Sequence, residues 1–237
     1  MEYTSQANQA MAVSNAEVDV RAAFITKTYM HLFGAIAAFT ALEVALFKLG
    51  IAAQIKDLVF SSRFGWIMAL GGFMLVGSLG SSMARKATSV GSQYTGLGIY
   101  IVGEAIIMAP LLLMANIYSG AEIIGNAAFV TLIGFAGLTA IAFTSRRDFT
   151  GLQPYLKWAG FCALGLIIAS LLIGFDLGVV FSGAMIVLAG GYILFQTSTI
   201  MRTYPTTHHV SASLELFASV ALMFWYVLRL LMSFSRD

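Results

Sequence analysis

The sequence predicts an all-α membrane protein built as a bundle of seven transmembrane helices. The chain has 237 residues, of which 59% are hydrophobic and 10% are charged. Soluble domains carry about 25% charged residues, so a soluble fold of this composition would expose apolar surface that it could not bury. Seven stretches of mostly apolar residues are also long enough to cross a bilayer, which takes about 20 residues of helix. Both observations place most of the chain in lipid.

The apolar stretches follow one another along the chain with short polar connections between most of them. The seven stretches are Tyr29–Leu49, Phe64–Met83, Thr95–Tyr118, Ile123–Phe143, Tyr155–Ile173, Leu177–Gln196 and Val210–Phe234. The polar connections are Gly50–Arg63, Ala84–Tyr94, Thr144–Pro154 and Ser198–His209, and the joins Ser119–Glu122 and Gly174–Asp176 are almost bare turns. Short joins force antiparallel neighbours, so residues 28–237 are predicted to form one compact domain after a polar tail of residues 1–27.

The distribution of cations predicts the orientation in the membrane. Eight of the 13 lysines and arginines fall on the side of the N-terminus: Arg21, Lys27, Arg85, Lys86, Arg146, Arg147, Lys157 and Arg202. The other five are Lys48, Lys56, Arg63, Arg229 and Arg236. Cytoplasmic loops carry the excess of positive charge, and the acid-containing tail is unlike a signal peptide. We therefore expect a cytoplasmic N-terminus and, with seven spans, a C-terminus on the outer side.

Composition argues against several classes of function. The net charge of +2 is too small to indicate nucleic-acid binding, and the lone Cys162 excludes an intramolecular disulfide. No His/Cys run has the spacing of a metal site. Ser182 is predicted near the outer face, whereas His208 and His209 lie in an inner loop, and a Ser/His pair needs hydrogen-bond contact for catalysis. The sequence therefore predicts no enzyme and no cofactor.

Two carboxyl groups are predicted inside the membrane. Glu104 lies about 14 Å along its helix, at nine residues and 1.5 Å per residue. Glu215 lies about 8 Å from Val210 by the same measure. Neither has a basic residue one helical turn away, and a charge at such depth costs a few kcal/mol. Each is thus a candidate for ion binding or proton sensing, or else a protonated carboxyl bonded to a helix backbone. Glu43 and His31 are expected at the interfaces.

Other features surround these carboxyl groups. Pro110 follows Glu104 by six residues and frees the carbonyl of Ile106, which predicts a kink that serves either gating or packing. Because the loop after the sixth stretch is short, the sixth and seventh helices should be neighbours. Gln196 and Ser219 are therefore predicted to meet as a polar pair in the inner half.

Three segments carry a resemblance to a known family. They are the run TSRRDFTG from Thr144 to Gly151, the end of the sixth stretch at Phe195–Thr197, and the run Leu214–Arg229 in the last stretch. On these residues the chain resembles a bacterial member of the Bax inhibitor-1 family. The resemblance implies a seven-helix fold with the last helix central, a place in the bacterial inner membrane and a pH-sensitive calcium leak. Some bacterial relatives are instead thought to modulate a membrane-bound protease.

The chain departs from the family pattern at two positions. The family's sixth helix usually ends in Tyr-Asp-Thr, where this chain has Gln196 in place of the aspartate. The last helix usually has an aspartate ten residues before its arginine, where this chain has Ser219. Gln and Ser can bond to each other but cannot titrate.

Two hypotheses follow from these departures. In the first, Glu104 and Glu215 form a displaced acidic pair and Ca²⁺ passes down the bundle. In the second, leak activity is lost, and the chain is a regulator that binds a membrane protease or another membrane partner through Arg146–Asp148 and the tail. The lipid bilayer is a partner in both cases.

Overall fold

A computed structural model of the chain describes residues 12–62, 64–86, 89–145 and 147–235. Arg63, Arg146, Arg236 and the first 11 residues of the predicted tail lie outside the described residues. The described part is helical with no strand longer than a single bridge. Its helices are α1 (Val18–Lys48), α2 (Ile51–Phe60), α3 (Gly65–Arg85), α4 (Val90–Ser119), α5 (Glu122–Thr144), α6 (Gln153–Ile173), α7 (Gly178–Arg202) and α8 (His209–Phe234).

Seven of these helices are long and apolar enough to cross a membrane, which confirms the predicted fold class. The last helix, α8, lies at the centre and contacts α1, α3, α4, α5 and α7. In the most apolar 18-residue window of α8, 56% of the residues are buried, compared with 11% in α6. Small residues let helices approach closely in lipid, and the buried face of α8 carries Ser211, Ser213 and Ser219. The predicted central position of the last helix is confirmed.

The first helix begins at Val18, well before the apolar stretch predicted from Tyr29. The segment before it also packs on the bundle. Val13 is fully buried, and its backbone N–H donates to the carbonyl of Tyr204 at 2.9 Å. The described part of the predicted tail is therefore attached to the connection between α7 and α8.

The connection predicted at Gly50–Arg63 contains a helix, α2. Its ten residues are too few to span a bilayer, and so the apolar pattern does not reveal it. Gly50 has a φ of 72°, the left-handed conformation that glycine adopts most easily, and it separates α2 from α1. Ala52 and Val59 are buried, since α2 packs against α1, α3 and α4.

Helices α3 and α4 approach each other most closely at two glycines. A Cβ atom on Gly96 would clash with the carbonyl oxygen of Gly80 and the backbone nitrogen of Ala84. These neighbours are backbone atoms, which cannot rotate away. The glycine at this position is therefore required by the helix spacing.

We expect Gly96→Leu to lower the free energy of unfolding by at least about 3 kcal/mol, the upper end for an overpacked core. Gly98 lies on the same helix, and a Cβ there would meet no atom within 4 Å. Gly98→Leu is the matched control and should stay within about 0.5 kcal/mol of the parent protein. Thermal melting in detergent measures both, and equal melting temperatures for the two variants would contradict the close approach.

Candidate functional site

The two ends of the bundle differ in their connections. The α3–α4, α5–α6 and α7–α8 connections lie at one end, which we call the loop end and which is the predicted cytoplasmic side. The α1–α2 and α2–α3 connections, with the α4–α5 and α6–α7 turns, lie at the other, which we call the turn end. Ser235 at the end of α8 donates to Ser119 at the end of α4 at 2.9 Å, so both helices finish at the turn end.

Glu104 lies in the middle of α4 and faces a large cavity. Glu104 is only 6% exposed, and it lines a partly open cavity of about 1410 Å³ whose wall comes mainly from α3, α4, α6, α7 and α8. Asp176 and Arg229 line the same cavity near the turn end. Most of the wall is apolar, and it includes Trp66 and Trp225, whose rings stack at 5.9 Å. Glu104 therefore stands at the inner limit of a vestibule that extends towards the turn end.

Gln196 and Ser219, the predicted polar pair, line the inner end of the same cavity. The Ser219 hydroxyl donates to Oε1 of Gln196 at 2.8 Å, and both residues are buried and line the cavity. Their predicted contact is confirmed. The bond joins α7 to α8, and so the inner end of the vestibule, which we call its floor, has a buried carboxyl group and a hydrogen bond between helices in its wall.

A second polar layer lies between this floor and the loop end. The Gln93 amide donates to the carbonyl of Thr207 at 3.1 Å and accepts from the backbone N–H of Ser211 at 3.3 Å. The Ser211 hydroxyl also lies 3.1 Å from the Tyr204 hydroxyl. We call Gln93, Tyr204, Thr207 and Ser211 the loop-end seal. The sequence pattern does not single out Gln93 or Tyr204, because both fall in predicted connections.

Tyr204 stays protonated within this seal. Burial raises the pKa of its phenol well above the usual range, and the nearby Glu215 carboxylate raises it further. The Ser211 hydroxyl acts in the opposite direction without reversing the shift. Tyr204 therefore remains a neutral hydrogen-bonding group over the physiological pH range.

Glu215 does not lie beside Glu104. An oxygen of its carboxylate is 3.9 Å from Nη1 of Arg85 at the end of α3, and Glu215 does not line the vestibule in the described structure. The Gln93–Ser211 bond sets the register of the parallel helices α4 and α8. Counted from that bond, Glu104 lies seven residues further along than Glu215, which is about 10 Å at 1.5 Å per residue. The sequence cannot reveal Arg85 as the partner, because it belongs to another helix.

The acidic neighbour of Glu104 is Glu43 of α1, and the two carboxylates interact electrostatically. Glu43 is only 6% exposed, and neither of its carboxyl oxygens has a hydrogen-bond partner among the described residues. This face of α1 packs against α4 and α8, so the side chain is buried between helices, and its place at the membrane interface stays a prediction. Glu43, rather than Glu215, is therefore the acid within electrostatic range of Glu104.

Two further residues from the sequence analysis are His31 and Pro110. His31 is half-buried, with Nδ1 2.7 Å from the carbonyl of Lys27 and its ring centroid 4.9 Å from that of His209. Pro110 is buried within α4, which continues as one helix on both sides of it. The kink at Pro110 stays a prediction.

The loop that carries the family resemblance is fixed to α7 through Asp148. Its Oδ1 accepts from the backbone N–H of Thr150 at 2.9 Å and from the hydroxyl of Ser198 at 3.3 Å. The bonds from Thr150, with lesser help from Arg202 and Ser198, hold the pKa of this exposed carboxyl below its usual range. Asp148 is thus a charged anchor for the loop.

Two features of the described residues define the class of protein. Seven helices are long and apolar enough to cross a membrane and pack into a bundle with a vestibule that reaches a buried carboxyl group, and no three His, Cys, Asp or Glu side chains in the described ranges converge on a metal position. The chain is therefore a multi-pass α-helical membrane protein. A family model described as "Inhibitor of apoptosis-promoting Bax1" matches residues 21–236, and the chain belongs to this family, the Bax inhibitor-1 family.

Several relatives are similar to the chain. An uncharacterized protein of Neisseria meningitidis is 28% identical over 60% of this chain and 63% of its own length. Bax inhibitor 1 of Schizosaccharomyces pombe is 27% identical over 92% of this chain and 79% of its own length. The Golgi anti-apoptotic protein of Vaccinia virus is 24% identical over 94% of this chain and 91% of its own. The chain thus spans less than two thirds of the Neisseria relative and nearly all of the viral one.

The Gln196–Ser219 bond should appear as an energetic coupling in a double-mutant cycle. Gln196→Met and Ser219→Ala each remove one partner with little change of shape. We expect a coupling of about 0.6 kcal/mol, the average for hydrogen bonds between membrane helices. Melting in detergent measures it. Thr131 bonds only within its own helix, so Thr131→Val with Gln196→Met is the control cycle. A coupling of zero in the first cycle would contradict the bond.

Proposed function

We propose that the protein is a pH-sensitive cation leak in which Glu104 binds or senses the passing ion. The supporting observation is its position. Glu104 is a buried carboxylate at the floor of a vestibule, and no ion pair of the described residues neutralises it. Carboxylate oxygens suit hard cations, and Ca²⁺ is the cation that we propose. Function in the bacterial inner membrane with the N-terminus inside belongs to the same proposal.

The described conformation corresponds to a closed leak in this proposal. From the turn end an ion would enter the wide, mainly apolar vestibule and reach Glu104 at its floor. Beyond Glu104, the Gln196–Ser219 bond and the loop-end seal block the rest of the ion's path to the loop end. Conduction requires both polar layers to open, with Pro110 as a place where α4 can bend.

The pH sensitivity in this proposal comes from carboxyl groups, because Gln196 and Ser219 cannot titrate. Glu104 and Glu43 repel each other when both are charged, and protonation of either removes that repulsion. Glu215 serves separately at the loop end, where it ties α8 to Arg85. Protonation of Glu215 would release that ion pair and loosen the seal.

One observation favours the second candidate, a regulator without transport. Two described parts of the loop end are held to the bundle, since Asp148 bonds to Ser198 of α7 and Val13 bonds to Tyr204 between α7 and α8. A fixed polar surface suits the binding of a membrane partner, including a protease. The two candidates differ in a simple way, because only the leak predicts ion flux from the purified protein alone.

Calcium flux into liposomes that contain the purified protein tests the proposal. A single titrating group allows flux to change by up to about tenfold per pH unit. We expect Glu104→Gln to remove that slope, because the amide cannot titrate. Glu122 is an exposed acid at the turn end, and Glu122→Gln is the control that should keep the parental profile.

Three results are informative. Loss of the pH slope in Glu104→Gln alone supports the leak and the assignment of Glu104. A parental profile in Glu104→Gln removes Glu104 from the mechanism. Absence of flux from the parent protein at every pH contradicts the leak and favours the regulator.

A further inference from the structure

A second cavity lies on the other side of the bundle core, between α1, α4, α5 and α8. It has a volume of about 430 Å³, which is within the range of small-molecule sites, about 300–1,000 Å³. Its wall is nearly all apolar, with Phe39, Phe47, Met108 and Phe217 among the lining residues. Glu43 is the acidic side chain in this wall.

The Glu43 carboxylate lacks a partner in this cavity. It is 94% buried, and neither oxygen accepts a hydrogen bond from the described residues. A buried ion without a partner is costly. Two other polar side chains in the wall do not supply one, since the hydroxyls of Thr40 and Thr131 donate to carbonyls of their own helices.

The charged groups near Glu43 do not provide its carboxyl group with an ion-pair partner either. Lys48 lines the cavity from the end of α1 but makes no ion pair with Glu43 in the described structure. The two residues are five apart, whereas neighbours on a helix face are three or four apart. When both groups are charged, Glu104 repels Glu43 rather than stabilising it. A cation from outside the chain would relieve both the missing hydrogen bonds and this repulsion.

We propose that this cavity binds a small apolar ammonium compound, with its N–H groups donating to Glu43 and its apolar body against the aromatic wall. The apolar wall excludes a hydrated metal ion, which would lose its water without gaining further oxygen ligands. The single unpartnered carboxylate fits a ligand with one cationic group. The volume fits a free amine rather than a whole phospholipid. This proposal does not depend on ion flux.

Binding of a matched pair of probes to the full chain in phosphatidylcholine nanodiscs tests the site. The probes are 4-phenylbutylamine, which is charged at pH 7, and 4-phenylbutanol, which has the same shape and no charge. Calorimetry measures both affinities, with empty nanodiscs subtracted. We expect the amine to bind more tightly than the alcohol. Glu43→Gln should weaken amine binding about tenfold to a hundredfold, as for the loss of a charge-assisted bond, and leave the alcohol within about twofold.

A second variant separates the cavity from the carboxylate. Gly125 lines the cavity and has open space around it, so Gly125→Leu should fill the site and weaken both probes. Gly137 lies on the same helix, also has open space and does not line the cavity. Gly137→Leu is therefore the control and should change neither affinity.

Several results would overturn the proposal. They are equal affinities for amine and alcohol, an amine affinity that Glu43→Gln leaves unchanged, and no binding of the amine to the parent protein. Competition by added phosphatidylethanolamine would assign the cavity to a lipid headgroup and would also overturn the free-amine site. Retained alcohol binding in Glu43→Gln shows that the variant is folded.

Discussion

Hydrogen bonds from α8 to its neighbours fix the centre of this bundle, because the hydrocarbon interior offers no water to a polar group. Ser211 bonds to Gln93 and Tyr204 at the loop end, and Ser219 bonds to Gln196 near the middle. If α8 faced lipid, it would lose these bonds to its neighbouring helices. The central position of α8 and the two polar layers beside the vestibule are therefore consequences of the same constraint.

The two cavities lie on different sides of α4, and each has a buried glutamate in its wall. Glu104 faces the vestibule, and Glu43 faces the smaller cavity. Since their carboxylates interact, a proton or a cation that reaches one of them changes the electrostatic environment of the other. In our proposals this coupling would let a ligand beside Glu43 influence an ion at Glu104, although the two residues line separate cavities.

The sequence predicts the features that follow from the length of its apolar stretches and of the loops between them. It does not predict the features that depend on how the helices pack. The seven spans and the Gln196–Ser219 contact follow from stretch length and loop length. Helix α2 was missed because it is too short to span. The burial of Glu43 and the ion pair of Glu215 with Arg85 were not predicted, because a contact with another helix has no fixed spacing along the chain.

The central claim is a vestibule that opens at the turn end and is closed beyond Glu104. Cysteine labelling tests it most directly, in a Cys162→Ser background because Cys162 is exposed. Leu222 lines the vestibule, and Ser213 is fully buried on the loop side of the Gln196–Ser219 bond. A membrane-impermeant thiol reagent should modify Leu222→Cys from the turn end only, and Ser213→Cys from neither side. Equal modification of Leu222→Cys from both sides, or of Ser213→Cys from the turn end, would contradict the closed vestibule.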